Sequence, residues 1–323
     1  VKALVCKAYG SGLSTLSLED TTLPPPEDGE VRVRIRAASV NFPDLLMTEG
    51  KYQFKPEPPY IVGGEMAGDV VAIGSAVTRF KLGDRVVGGG LTGAFAEENN
   101  RVESSLRPIP DGADYATASA FTAAYLTAYV ALVRRAEIRA NEWLLVHGAA
   151  GGVGLAAVDL GKHLGARVIA TASSDEKRAF LNTYGADHVL PSSGFRETVK
   201  ELTAGRGADV IYDPVGGDMF DESVRCIAFD GRLLVVGFTS GRIPSITVNM
   251  PLIKGFSVVG VRAGEYGRHF PDKGRENIAA IDSLLAEAKI RPHICERVPL
   301  DRAIDAMRLM ESRKVIGKVV VEA

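Results

Sequence analysis

Apolar and polar residues alternate along "VRVRIRAA" (Val31 to Ala38), the two-residue period of a strand with one wet face. Arg32, Arg34 and Arg36 therefore read as a solvated strand face rather than a binding stripe. "GGEMAGDVVAIGSAV", "KLGDRVVGGG" and "TGAFAEENNRV" follow as short β-branched runs cut by glycines, with proline-rich connectors "TTLPPPEDGE" and "YQFKPEPPY". The first third is β-rich. From about Asp114 the rhythm changes, because "DYATASAFTAAYLTAYVALV" is alanine-rich with helical spacing. Six strand-like runs separated by helical segments come next, at 143–147, 167–171, 187–190, 208–213, 232–237 and 256–261. That alternation predicts an α/β domain built on a doubly wound parallel sheet. "GRENIAAIDSLLAEAKI" and "LDRAIDAMRLMESR" predict two amphipathic helices, and "GKVVVEA" a closing strand. That strand is expected to return to the first domain, since alone it has no partner.

Composition narrows this picture. The chain has 323 residues, 46% hydrophobic and 24% charged, enough for one large or two medium domains. A net charge of −2 carries no nucleic-acid footprint. Cys6, Cys226 and Cys295 are too scattered for a disulfide scaffold and fit free thiols in a reducing, cytoplasmic compartment. "VKALVCKAYG" does not read as a signal peptide, and no apolar stretch is expected to reach the roughly 18 residues of a membrane span. The expectation is a soluble protein with no membrane partner.

Candidate chemistry concentrates in "HGAAGGVG" (147–154), which follows an apolar strand and opens a helix. The pattern is Ala149-x-Gly151-x-x-Gly154. Gly151 lets the main chain approach a pyrophosphate, and Gly154 lets the helix lie against the strand. The amides from Gly151 through Gly152 and Val153 to Gly154 then face phosphate with the positive end of the helix dipole. At the end of the next strand, "RVIATASSDEKR" offers Thr171, Ser173 and Ser174, with Lys177 and Arg178 a helical turn later. Hydroxyls and cations suit a ribose 2′-phosphate, so NADPH is favoured over NADH. Asp175 is either an acid for a ribose hydroxyl or, as favoured here, the cap of the following helix.

The chain resembles the medium-chain dehydrogenase/reductase superfamily and, within it, the zinc-free NADPH:quinone oxidoreductases that include zeta-crystallin. The resemblance rests on "SVNFPDLLMTEGKY", "GGEMAGDVVAIG", "GDRVVG", "TAAYLTAYVAL", "HGAAGGVG", "DPVGG", "VVGFTSG" and "GKVVV", spread along the whole chain. It implies a β-rich GroES-like domain over 1–121 and 265–323 and a Rossmann dinucleotide-binding domain over 122–264. Zinc-containing relatives carry a cysteine at the position of Asn41 and a histidine at that of Gly64, so no metal is expected. His147 is expected to pack at its strand end. The resemblance places Asn41 and Thr127 at the nicotinamide, and Gly152 and Val153 at the pyrophosphate. Ser173 and Lys177 are placed at the 2′-phosphate. Phe238, Ser240 and Arg262 would line the nicotinamide and its ribose, with Arg313 a further candidate. Where relatives often have tyrosines, this chain has Pro191 and Ser192 near the adenosine, with Ser192 able to bond a phosphate oxygen, and Leu46 near the substrate. Tyr52 matches, and is a candidate to orient a substrate carbonyl.

The implied activity is hydride transfer from NADPH to a quinone or other conjugated carbonyl, which asks for alignment and desolvation more than for an acid–base pair. The alternatives are a 2-alkenal or acrylyl-CoA type enoyl reductase, with Tyr52 the one obvious proton donor, and a non-catalytic NADPH-binding protein. "FSVVGV" (256–261), an uncharged edge strand, predicts a homodimer.

Overall fold

The computed structural model describes residues 1–323 and divides into two compact units, Val1–Thr122 with Pro292–Ala323, and Ala123–Arg291. The first unit opens with β1 (Lys2–Cys6), β2 (Leu16–Asp20), β3 (Glu30–Ser39), α1 (Phe42–Thr48) and β4 (Tyr60–Ile61). It continues with β5 (Glu65–Ile73), β6 (Arg85–Gly89), β7 (Glu98–Val102) and β8 (Leu106–Pro108). The alternation along β3 is realised, with Val31, Val33 and Ile35 buried. On the other face Arg32, Arg34 and Arg36 meet Asn100, Glu98 and Asp69 of neighbouring strands, which gives the arginine stripe a cross-strand role.

Helix α2 (Tyr115–Tyr129) runs on as a π-helical turn, Val130–Arg135. The expectation about apolar stretches is corrected here: the 21 residues Tyr115–Arg135 are long and apolar enough to cross a membrane. The helical run itself was legible, but scattered Ser, Thr and Tyr masked how apolar it is as a whole. The helix is a core element, with Ala118, Phe121, Ala124, Tyr125, Ala128 and Leu132 all buried.

The second unit alternates β9 (Trp143–Val146), α3 (Gly152–His163), β10 (Arg167–Ala172), α4 (Asp175–Tyr184), β11 (His188–Pro191) and α5 (Phe195–Leu202). Then come β12 (Ala208–Asp213), α6 (Asp218–Cys226), β13 (Ile227–Val235), α7 (Asn249–Lys254), β14 (Ser257–Gly260), α8 (Ala263–His269) and α9 (Pro271–Ala286). The six strands form one parallel sheet in the order β11-β10-β9-β12-β13-β14, so the winding reverses between β9 and β12. This is the doubly wound Rossmann arrangement. Its boundary falls at Arg291 rather than 264, because α9 packs on this unit: Arg134 donates to Asn277 at 2.8 Å and pairs with Glu276. Helix α8, which packs on α9, is absent from the sequence pattern because glycines interrupt it.

The chain closes with β15 (Ile294–Pro299), α10 (Ala303–Glu311) and β16 (Lys318–Glu322). As expected, β16 returns to the first unit, antiparallel to β3 with Val321 opposite Ala38. Cys6 and Cys226 are buried and Cys295 is exposed, and none of the three forms a disulfide.

His147 packs at the end of β9 as expected, fully buried against Phe195. Ser223 Oγ donates to the Met219 carbonyl, so towards His147 it accepts from Nε2–H at 2.7 Å. Nδ1 then accepts from Thr171 Oγ1 at 3.0 Å, and the neutral ring ties β9, β10 and α6 together. Burial pushes the imidazole down to about 3. Since that lies below the ordinary histidine value of about 6.5, the stabilisation is complete above about pH 6.5 and is lost as pH falls towards 3. We expect urea unfolding to weaken through this window, with His147 contributing about 1.4 kcal/mol per pH unit, and His147→Gln to flatten the slope. An unchanged slope in the variant contradicts the buried neutral ring.

Candidate functional site

In the second unit, the glycine turn, Ser173, Ser192, Phe238, Ser240 and Arg262 follow the carboxyl ends of parallel strands, Lys177 stands in the first turn of the helix after β10, and Thr127 lies within α2. Gly151 is the N-cap of α3, extended at φ −80°, ψ 168°, with no side-chain cap. The N–H groups of Gly152, Val153 and Gly154 have no acceptor within the helix, and the first turn carries no acidic residue. The helix thus presents a bare positive end. A Cβ on Gly154 would stand 2.3 Å from the Gly148 carbonyl oxygen and 2.7 Å from Ala149 Cα, so only glycine fits. Gly148 itself adopts φ +54°.

One strand over, Ser173 is exposed at the end of β10 and Ser192 N–H donates to the Ala172 carbonyl at 3.2 Å. Ser173, Ser192 and the first turn of α4 with half-buried Lys177 therefore stand at one strand end. The expected cap is corrected: Ser174, not Asp175, caps α4, its Oγ accepting from Lys177 N–H at 3.3 Å. Asp175 is the first helical residue, fully exposed and paired with Arg178. The shift of one position follows from backbone geometry, since Ser174 is the extended residue (ψ 156°).

On the other side of the sheet's reversal, Asp213 ends β12 in a tight turn, its Oδ1 accepting from Val215 and Gly216 N–H at 2.8 and 2.9 Å. Burial pushes its carboxyl up, against those two amides. Thr239 and Ser240 N–H donate to the Pro214 and Val215 carbonyls, which lays "GFTSG" along "DPVGG" and sets Phe238 beside Gly216. Ser240 and Arg262 are exposed, and Arg262, the N-cap of α8, lies 3.6 Å from Glu265. Thr127, within α2, donates its hydroxyl to the Ala123 carbonyl at 2.7 Å.

In the first unit, Asn41 caps α1 inside a buried polar cluster that sequence reasoning missed. Its backbone N–H donates to Asp44 at 2.7 Å, and its Nδ2 donates to Glu65 Oε2 at 2.9 Å, which also accepts from Ser39 Oγ. Its Oδ1 accepts from Lys318 Nζ at 2.6 Å, and that ammonium is 3.6 Å from Glu65. Ammonium at one end and carboxylate at the other fix the amide's orientation, because a flip would set two donors face to face. Burial pulls the Lys318 ammonium down and pushes Asp44 up to about 7, the latter opposed by the Asn41 N–H and Lys318. A lone lysine opening the apolar strand "KVVV" is the signal that could have found this cluster, since a buried cation needs partners. Tyr52 sits half-buried in the bends after α1. Arg313, exposed at φ +57°, ends α10, its N–H donating to the Met310 carbonyl.

Residues 27–126 match the alcohol dehydrogenase GroES-like domain, and residues 152–281 match the family described as zinc-binding dehydrogenase. A quinone oxidoreductase-like protein 2 homolog of Nematostella vectensis is 39% identical over 90% of this chain and 81% of its own length. The chain belongs to the medium-chain dehydrogenase/reductase superfamily. Two solved members share the fold over nearly the whole chain. The Escherichia coli quinone oxidoreductase complexed with NADPH superposes at TM-score 0.92 with 29% identity, covering 100% of both chains. The CurK enoyl reductase superposes at 0.89 with 25% identity, covering 99% of this chain and 98% of its own. As a member of this superfamily the chain is an oxidoreductase, with the GroES-like and Rossmann folds expected of it.

The zinc in one family description does not fit the residues present. Gly64 offers no donor, Asn41 is engaged at both ends of its amide, and the Lys318 ammonium already places a cation against Asn41 and Glu65. We expect Lys318→Met to destabilise the protein by about 3–5 kcal/mol in urea unfolding, because it strands the buried carboxylate of Glu65. Lys318→Met with Glu65→Met should recover part of that loss. Additive losses in the double variant contradict the coupling.

Proposed function

We propose that this oxidoreductase is NADPH-dependent and passes hydride to a quinone. The observation that carries the reading is the bare N-terminus of α3 at the strand end, with hydroxyls just past β10 and β11 and a lysine in the first turn of α4 beside it. Those groups fit a dinucleotide with an extra phosphate. The amides of Gly152, Val153 and Gly154 bind pyrophosphate, assisted by the helix dipole, whereas the Gly151 N–H, expected to join them, is spent on the Gly148 carbonyl at 2.9 Å. Ser173, Ser192 and Lys177 hold the 2′-phosphate by charge-assisted bonds. Bound there, NADPH supplies the hydride. Phe238, Ser240, Arg262 and Thr127 line the nicotinamide end, and the Asn41 amide, locked by Lys318 and Glu65, adds a fixed dipole. Tyr52 orients the acceptor's carbonyl. Arg313, just past the end of α10, is a further candidate at the cofactor. A quinone needs alignment and exclusion of water, and no strong general acid is asked of the protein.

The NADPH complex among the solved relatives supports the cofactor, and the name of that relative supports the acceptor. The fold shared with an enoyl reductase makes acceptor choice the decisive experiment. We expect NADPH oxidation to proceed with benzoquinones far faster than with enals or an enoyl-CoA. Faster reaction with the enoyl-CoA overturns the quinone assignment, and no turnover with any acceptor points to a cofactor-binding protein.

We also propose a homodimer, a soluble cytoplasmic enzyme acting on small molecules, without nucleic-acid or membrane partners. Val248, Leu252 and Ile253 around α7 are 72–86% exposed, and Val258 opens the outer edge of β14 to a second copy. A monomer in light scattering at micromolar concentration contradicts it. Lys177→Ala is expected to weaken NADPH by about 1.5–3 kcal/mol and leave NADH nearly unchanged, read by calorimetry. Equal losses for both cofactors contradict the 2′-phosphate contact.

A further inference from the structure

A cavity of about 470 Å³ in the second unit is lined by Arg196, Lys200, Arg225, Met250 and Lys254. Lys200 lies near the end of α5, Arg225 near the end of α6, and Lys254 closes α7. Each helix leads into the amino end of the next strand, β12, β13 or β14. The cavity therefore stands at the opposite end of the sheet from the glycine turn and the candidate cofactor residues.

Four cations converge here on two carboxylates. Arg196 pairs with Glu197 at 2.7 Å and Glu222 at 3.5 Å, and Lys200 reaches Glu197 at 3.7 Å. Arg225 and Lys254 have no carboxylate within ion-pair distance, which leaves an excess of two positive charges in a chain of net charge −2. Helix dipoles account for part of this, since cations favour helix C-termini. They do not account for Arg196, which occupies the first turn of α5, where the dipole favours an anion. Arg196 and Lys200 are also spaced i, i+4, a like-charge arrangement that weakens a helix. Burial, together with the charges of Lys200, Arg225 and Arg196, pulls the Lys254 ammonium below the usual lysine range. The cluster is electrostatically unfavourable by itself, and a bound anion would relieve it.

We propose that this cavity is a second binding site, separate from the cofactor's, for a small phosphate-bearing polyanion. The volume accommodates anything from pyrophosphate to a nucleotide-sized ligand, and Met250 adds an apolar wall for an organic portion. Arg225 and Lys254, lacking partners of their own, supply the free charge, and Arg196 and Lys200 extend the rim.

The test is calorimetric titration of the full chain with inorganic pyrophosphate, with and without saturating NADPH. NADPH occupies the pyrophosphate-binding helix end under the reading above, so heat that persists in its presence belongs to the second site. We expect saturable binding of one pyrophosphate per chain under NADPH, weakened at least tenfold in Arg225→Ala with Lys254→Ala. Arg225→Ala alone, at an exposed position that leaves the fold intact, should weaken it several-fold. NADPH affinity should be unchanged in both variants. No saturable heat under NADPH, or affinity untouched by the substitutions, overturns the proposal. Should NADPH itself not bind, the cofactor reading fails, and the variants alone still decide the second site.

Discussion

The contact on which the second unit depends is the approach of Gly154 to the Gly148 carbonyl, where an added Cβ would meet the oxygen at 2.3 Å. That proximity lets α3 start directly beneath the end of β9, so its unsatisfied amides point out over the carboxyl edge of the sheet. Further along, Gly161 faces Leu144 closely enough that its Cβ would stand 2.5 Å from Cδ2, keeping helix and strand tight along their length. His147, one residue before the turn, fastens the same strand end to Thr171 and Ser223 without adding charge. A phosphate placed there meets backbone donors and a dipole, with no carboxylate in the first turn of α3 to repel it.

The first unit solves a different electrostatic problem. Lys318, Glu65, Asp44 and Asn41 come from three distant stretches of chain, joined when β16 pairs with β3. A buried ammonium between an amide and a carboxylate gives Asn41 one orientation, and such a network imposes geometry more than it adds stability.

Much of this was readable from residue patterns, and the misses have physical causes. The six parallel strands announced themselves because strands buried on both faces are short apolar runs, as "WLLV" and "DVIY" show. The glycine turn was legible because steric demand leaves a residue-type signature. Capping of α4 was read one residue late, since Ser174 and Asp175 are equally good cap residues and only backbone angles separate them. The Asn41 cluster left only the lone lysine of "KVVV" as a signal, because its members are close only in the folded chain. The helical course of α2 was legible in its spacing, whereas scattered Ser, Thr and Tyr masked how apolar the whole 21-residue stretch is.

The central claim is that main-chain amides at the start of α3 hold the cofactor's pyrophosphate. Hydrogen–deuterium exchange of peptides covering residues 147–156, with and without NADPH, tests it most directly. The account predicts clear protection of that segment on adding NADPH. Unchanged exchange there, with NADPH bound according to its fluorescence, would contradict it.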